Sequence, residues 1–172
     1  MEEQEVPTEG LSEEIREHAE KAEAGKEKRL SMYTAVSTAL MAVLAAISSL
    51  MAGHHSNEAL IEQIKASDQW AFYQAKGIKG EIASLNGNTN FRDSLEKKYK
   101  NEQQDIKKVA EEFQLASTVH LQKHILLARS VTFFQIAIAI SAISILTKKT
   151  ILWYASLMLA IVGIFYFISG MI

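Results

Sequence analysis

The polar and apolar positions of this chain are sorted into blocks. Residues 1–30 are mostly polar and acidic, 33–53 carry no charge, 57–123 are densely charged, and 131–172 are apolar apart from Lys148-Lys149. A water-soluble fold interleaves the two kinds of residue at helical or strand period, so that each element turns one face to a core. Sorting into blocks is what a bilayer solvent selects. As a helix, residues 33–53 span about 31 Å, enough to cross a hydrocarbon core. Residues 131–146 and 151–170 make a second and a third span, the former lengthened by 128–130 with Arg129 reaching toward the interface. The connection Thr147-Lys148-Lys149-Thr150 is so short that these two spans must be antiparallel. Trp153 and Tyr154 sit where an interfacial aromatic belt would place them. The first span is rich in small residues (Ala35, Ala39, Ala42, Ser37, Ser48, Ser49), which let a neighbouring backbone approach closely and predict packing inside a bundle.

Between the first two spans the pattern turns amphipathic. Leu60, Ile61, Ile64, Ala71, Ala75, Ile78, Ile82 and Leu85 recur at steps of three and four, predicting a helix. Asn86-Gly87-Asn88-Thr89-Asn90 is a turn sequence, and Asn90 with Asp93 resembles a helix-start box. Beyond it Leu95, Tyr99, Ile106, Val109, Phe113, Ala116, His120 and Leu127 resume the spacing, with a polar gap at Glu102. Arms of about 48 and 55 Å around one turn predict an antiparallel hairpin whose coiled-coil-like seam is drawn from these apolar series. Gly77 and Gly80, at about 1 kcal/mol of helix propensity each, permit a tight crossing or a kink.

The expected fold is an all-α membrane protein with three transmembrane helices and a long antiparallel helical hairpin between the first and second. Its parts are an acidic, partly helical arm at 1–30, spans at 31–53, 128–147 and 151–171, and a hairpin at 54–127 with its turn at 86–90. In the arm, Ser12 caps a glutamate-rich first turn, but Leu11, Ile15, Ala19 and Ala22 form only a thin apolar stripe.

Charge sets the orientation. Lys26, Lys28 and Arg29 lie on the same side of the three spans as Lys148 and Lys149, against Lys65, Lys123 and Arg129 on the other. The positive-inside rule places the N-terminus in the cytoplasm and the hairpin outside, periplasmic in a two-membrane bacterium and extracellular otherwise. The acidic start and the late first apolar run predict an uncleaved signal anchor. A net charge of −2 gives no reason to expect nucleic acid, and the absence of cysteine excludes disulfides and thiol chemistry.

Three stretches carry a resemblance. They are Ala52-Gly53-His54-His55-Ser56-Asn57-Glu58-Ala59, Ala66-Ser67-Asp68-Gln69-Trp70-Ala71-Phe72-Tyr73-Gln74-Ala75-Lys76-Gly77-Ile78-Lys79 and Phe134-Gln135-Ile136-Ala137-Ile138-Ala139-Ile140. With them the chain resembles, along nearly its whole length, the bacterial family catalogued as domain of unknown function 4337. That resemblance implies membrane location and supplies no activity, substrate or catalytic residue.

Two constellations are candidates for chemistry. His54 and His55 follow the first span, and His120 and His124 lie one turn apart on the arm entering the second. An i, i+4 pair is half of a zinc, copper or nickel site, the hairpin brings all four toward one membrane surface, and Glu58 can add an oxygen. The plainer reading is wet interfacial histidines, with His120 hydrogen-bonded in the seam. The second candidate is Asp68, Trp70, Phe72 and Tyr73, whose aromatics suit a binding face. In its plainer reading Trp70 or Phe72 covers the hairpin seam and Tyr73 lies outside. No hydrolase elbow, His-Glu-x-x-His helix or phosphate loop is present, and the spans hold no Asp, Glu, Lys or Arg except at their ends. Gln135, Ser141 and Ser144 remain as interhelical hydrogen-bonding or pore-lining groups. The expectation is a non-enzymatic, cofactor-free scaffold or interaction protein, its hairpin mediating self-association or binding an envelope protein. The alternative is a small oligomeric channel or transport accessory, metal-linked through the histidines.

Overall fold

The computed structural model describes residues 8–85 and 89–172, and they are helical throughout except at the connections. Three helices follow in order: α1 Thr8–Ser84, α2 Thr89–Thr147 and α3 Thr150–Met171. The one proline, Pro7, directly precedes α1, so nothing after it removes a backbone donor or forces a kink. α1 therefore runs unbroken across the expected arm, span and hairpin boundaries, and through Gly77 and Gly80. α2 begins at Thr89, earlier than the box at Asn90 implied, so Asn90 lies inside the helix. Of the expected turn at 86–90, residues 86–88 lie outside the described residues. All three helices are long and apolar enough to cross a membrane.

The chain divides into two compact units, Met1–Ala46 with Ser130–Phe165, and Ile47–Arg129 with Tyr166–Ile172. The first unit buries hydroxyls beside a small apolar core and turns many large apolar residues outward. Its buried positions are Thr34, Met41, Ser130, Phe134, Ala137, Ser141, Ser144, Ser156 and Ala160, while Val36, Leu40, Ile136, Ile143, Met158, Ile161 and Phe165 face outward. Close backbone approach explains the small residues inside. A Cβ on Gly163 would stand 3.0 Å from the Phe134 ring, so the glycine makes the space that the phenyl fills. The buried hydroxyls bond across helices, Thr38 Oγ1 to Ser141 Oγ at 2.6 Å and Ser130 Oγ to the Gly163 carbonyl at 2.9 Å. The Trp153 indole donates to Ser37 Oγ at 3.2 Å. Ser141 is thus an interhelical hydrogen-bonding group, Ser144 Oγ bonds the Lys149 carbonyl within the α2–α3 turn, and Gln135 faces outward.

In the second unit α1 and α2 pack antiparallel, and the seam corrects the expected one on the first arm. Leu60, Ile61, Ile64, Ile78, Ile82 and Leu85 point away from α2, being 43–85% exposed, and Ala71 and Ala75 are exposed with them. The inward positions are instead Ala52, Ala59, Ala66, Tyr73 and Gly80, an unbroken repeat of seven. The donors opposite recur at the same interval: His124 Nδ1 is 2.8 Å from the Ala52 carbonyl, Ser117 Oγ 2.8 Å from that of Ala59, and Gln103 Nε2 3.2 Å from that of Tyr73. Between them the register sets Ala110 against Ala66, both buried. The physical reason is separation. Alanine and glycine let the two backbones come close enough for α2 side chains to reach α1 carbonyls, which a ridge of Ile and Leu would forbid. A Cβ on Gly77 would lie 2.8 Å from Gln103 Nε2, so that glycine serves the crossing and kinks nothing.

The α2 arm keeps most of its expected inward set. Ile106 and Leu127 are buried and Tyr99, Phe113, Ala116 and His120 half-buried, with Val109 exposed. The polar gap at Glu102 is filled from across the seam by Lys76. That hydrogen bond is the main reason the Glu102 carboxyl is held below its ordinary range.

Candidate functional site

The strict sevenfold repeat decides which histidines meet. His55 lies three residues beyond Ala52, half-buried beside that column, and faces His120 of α2. Their Nδ1 atoms are 3.0 Å apart and their rings 5.2 Å. One ring must donate to the other, so the contact tolerates at most one imidazolium. His124 is engaged differently: to bond the Ala52 carbonyl its Nδ1 must carry the proton. His54 is exposed, its ring 5.4 Å from that of His55. Burial lowers the pKa of His55, and His120, His54 and Lys123 lower it further, with Glu58 opposing.

Of the four histidines proposed as metal ligands, the structure joins His55 to His120, keeps His54 beside them, and turns His124 to a backbone oxygen. Among the described residues no three His, Asp or Glu side chains are grouped to hold a metal ion. The arrangement is a hydrogen-bonded imidazole pair that responds to protonation. The Ala52 carbonyl and Lys123 complete its surroundings; the first was not legible beforehand, since a backbone acceptor leaves no trace in residue type.

The aromatic stretch is placed differently from its plainer reading. Tyr73, not Phe72, belongs to the seam: it is half-buried, its carbonyl receives Gln103, and its ring meets Trp70 edge-on at 5.5 Å. Phe72 is exposed, and Asp68 is exposed on the outward side. Lys76 lies 5.3 Å from the Phe72 ring centroid and 5.6 Å from that of Tyr99 while pairing with Glu102. One cation thus ties the two arms near the aromatic cluster.

The outward face of α1 has an order of its own. Ile61, Ile64, Asp68, Ala71, Ala75, Ile78, Ile82 and Leu85 follow steps of three, four, three, four, three, four and three, a second heptad seam with one polar position, Asp68. Among the described residues nothing apolar covers it: every one of these eight is exposed.

Searches among curated proteins and among solved structures found no match. The model of one family matches residues 30–172, the part that contains the three apolar stretches, the seam and the histidine pair. The chain belongs to the family of the domain of unknown function DUF4337.

Proposed function

We propose that this is a non-enzymatic integral membrane protein of a bacterial cell membrane, and that its helical hairpin assembles it with further copies of itself. Membrane insertion is supported by the two faces of the first unit: serine and threonine hydroxyls are buried beside Met41, Phe134 and two alanines, while Val36, Leu40, Ile136, Ile143, Met158, Ile161 and Phe165 face outward. The basic residues at Lys28, Arg29, Lys148 and Lys149 orient the N-terminus and the α2–α3 turn to the cytoplasm and the hairpin to the outside.

The observation that carries the assembly reading is the outward seam of α1. Its five large aliphatic residues leave on the order of 550 Å² bare, at the upper end of the apolar patch of an ordinary monomer and about two-thirds of the ~800 Å² per partner of a standard interface. The spacing of three and four is what a second helix fills. Copies anchored in one membrane run in the same direction, so the seam packs in parallel, each residue against its own counterpart. Asp68 then meets Asp68 of the second copy, a polar position that sets register at a cost in stability. The test is the copy number in nanodiscs, counted by single-molecule photobleaching. Wild type is expected as an oligomer and an Ile64→Ser, Ile78→Ser, Ile82→Ser variant as single chains. Equal copy number for both would overturn the reading.

A further inference from the structure

The first unit holds an open cavity of about 370 Å³ lined by Glu27, Lys28, Leu30, Ser31, Ile145 and Lys148. Leu30 and Ile145 give it an aliphatic side, and two ammonium groups, a hydroxyl and a carboxylate give it a polar one. Among the described non-glycine residues Lys148 alone has a positive φ, 55°. A lysine rarely occupies that left-handed region, which glycine or asparagine usually takes after a helix. Here the turn directs it to Glu27, whose carboxylate oxygens lie 2.8 and 3.0 Å from Nζ. Lys149 and Arg29, next in sequence to Lys148 and Lys28, are exposed. Two lysines and one acid thus line a cavity that is half aliphatic, with two further basic residues adjoining them in sequence, at the end of three apolar helical segments.

We propose that this cavity binds the headgroup phosphate of an anionic membrane lipid, with Lys28, Lys148 and Ser31 on the phosphate and the acyl chains leading over Leu30 and Ile145. The assignment rests on the membrane reading above, because it places the cavity at headgroup depth, where paired lysines attract anionic lipid and repel a choline. Glu27 is the internal counter-anion. It holds Lys148 over the cavity and competes with the phosphate for the same ammonium. A free phosphate shares the headgroup's charge but gains nothing from Leu30 and Ile145, so the aliphatic side is what selects a lipid.

The experiment is native mass spectrometry of the full chain released from nanodiscs of phosphatidylcholine containing one-tenth phosphatidylglycerol, counting lipids retained per chain. Wild type is expected to retain phosphatidylglycerol above its share. Lys28→Gln and Lys148→Gln should each weaken retention about fivefold, the effect of one interfacial cation. Glu27→Gln should strengthen it, and Lys107→Gln, on the hairpin arm, should leave it unchanged. No enrichment of phosphatidylglycerol in an inserted protein, or equal losses for Lys107→Gln and Lys148→Gln, would overturn the site and leave the membrane reading standing. Equal competition by soluble glycerol phosphate would reassign the site to a free phosphate and overturn the lipid. Protein that washes off membranes in carbonate would overturn the membrane reading and this proposal together.

Discussion

Replacing Ala59 with leucine tests the close seam directly. Ala59 is 7% exposed, and Ser117 Oγ lies 2.8 Å from its carbonyl. Three added carbons have no space between backbones that approach this closely, and overpacking of this kind costs about 1–3 kcal/mol. Pushing α2 away also breaks the Ser117 hydrogen bond, worth about 1 kcal/mol. The expected loss is therefore about 2–4 kcal/mol in the hairpin, and amides near residues 55–65 and 110–120 should exchange at least thirtyfold faster. Ile64→Ser is the control. Its side chain is 53% exposed, so within one chain the change should cost under about 1 kcal/mol. Both are measured by hydrogen exchange in dilute detergent, where copies are separated. Faster exchange in Ile64→Ser with little change in Ala59→Leu would show that the aliphatic series, not the alanine column, faces α2.

Acid should loosen the hairpin around the His55–His120 contact. The pKa of His55 is lowered from its ordinary value of 6.5, so the unfolded arm binds protons more readily than the folded one. Stability from the His55–His120 pair is complete above that value and is lost as pH falls through it toward the lower folded-state value. Amide exchange near residues 55–60 and 117–124, after correction for intrinsic rates, should rise between pH 7.5 and 5, and His55→Gln should abolish most of that dependence. A wild-type profile that is flat over this range would refute the assignment. Because the chain lacks cysteine, single-cysteine variants report topology. Ser84→Cys should react with a membrane-impermeant thiol reagent in intact cells, and His18→Cys only after lysis; the opposite pattern would invert the orientation.

The three-helix plan was legible because bilayer-scale apolar blocks outweigh every other signal, and Pro7 is the last residue able to interrupt α1. The α2 side of the seam was legible too, since Ile106, Phe113 and Leu127 are large and do face inward. The α1 side was not. Ala52, Ala59, Ala66 and Gly80 contribute little hydropathy, so their sevenfold column is quieter than the Ile and Leu series beside it. On α1 the loudest apolar stripe is therefore the one that stays outside. Tyr73 falls on the sevenfold column and Phe72 does not, so register and not hydropathy put the one in the seam and the other outside. The meeting of His55 and His120 followed from hairpin topology, whereas the turn of His124 to the Ala52 carbonyl depended on an interhelical distance that residue types alone do not encode. Gly163 carried no signal for the same reason, its partner being a ring on another helix.

The most direct test of assembly through the outward face of α1 is disulfide formation by an Ile78→Cys chain in native membranes, under mild oxidation, with Glu112→Cys on α2 as the comparison. In a parallel pairing Ile78 meets its own counterpart, so a disulfide-linked dimer is predicted for Ile78→Cys and little for Glu112→Cys. Monomer alone from Ile78→Cys, or equal linkage from both positions, would contradict the proposal that this seam is closed by a second copy.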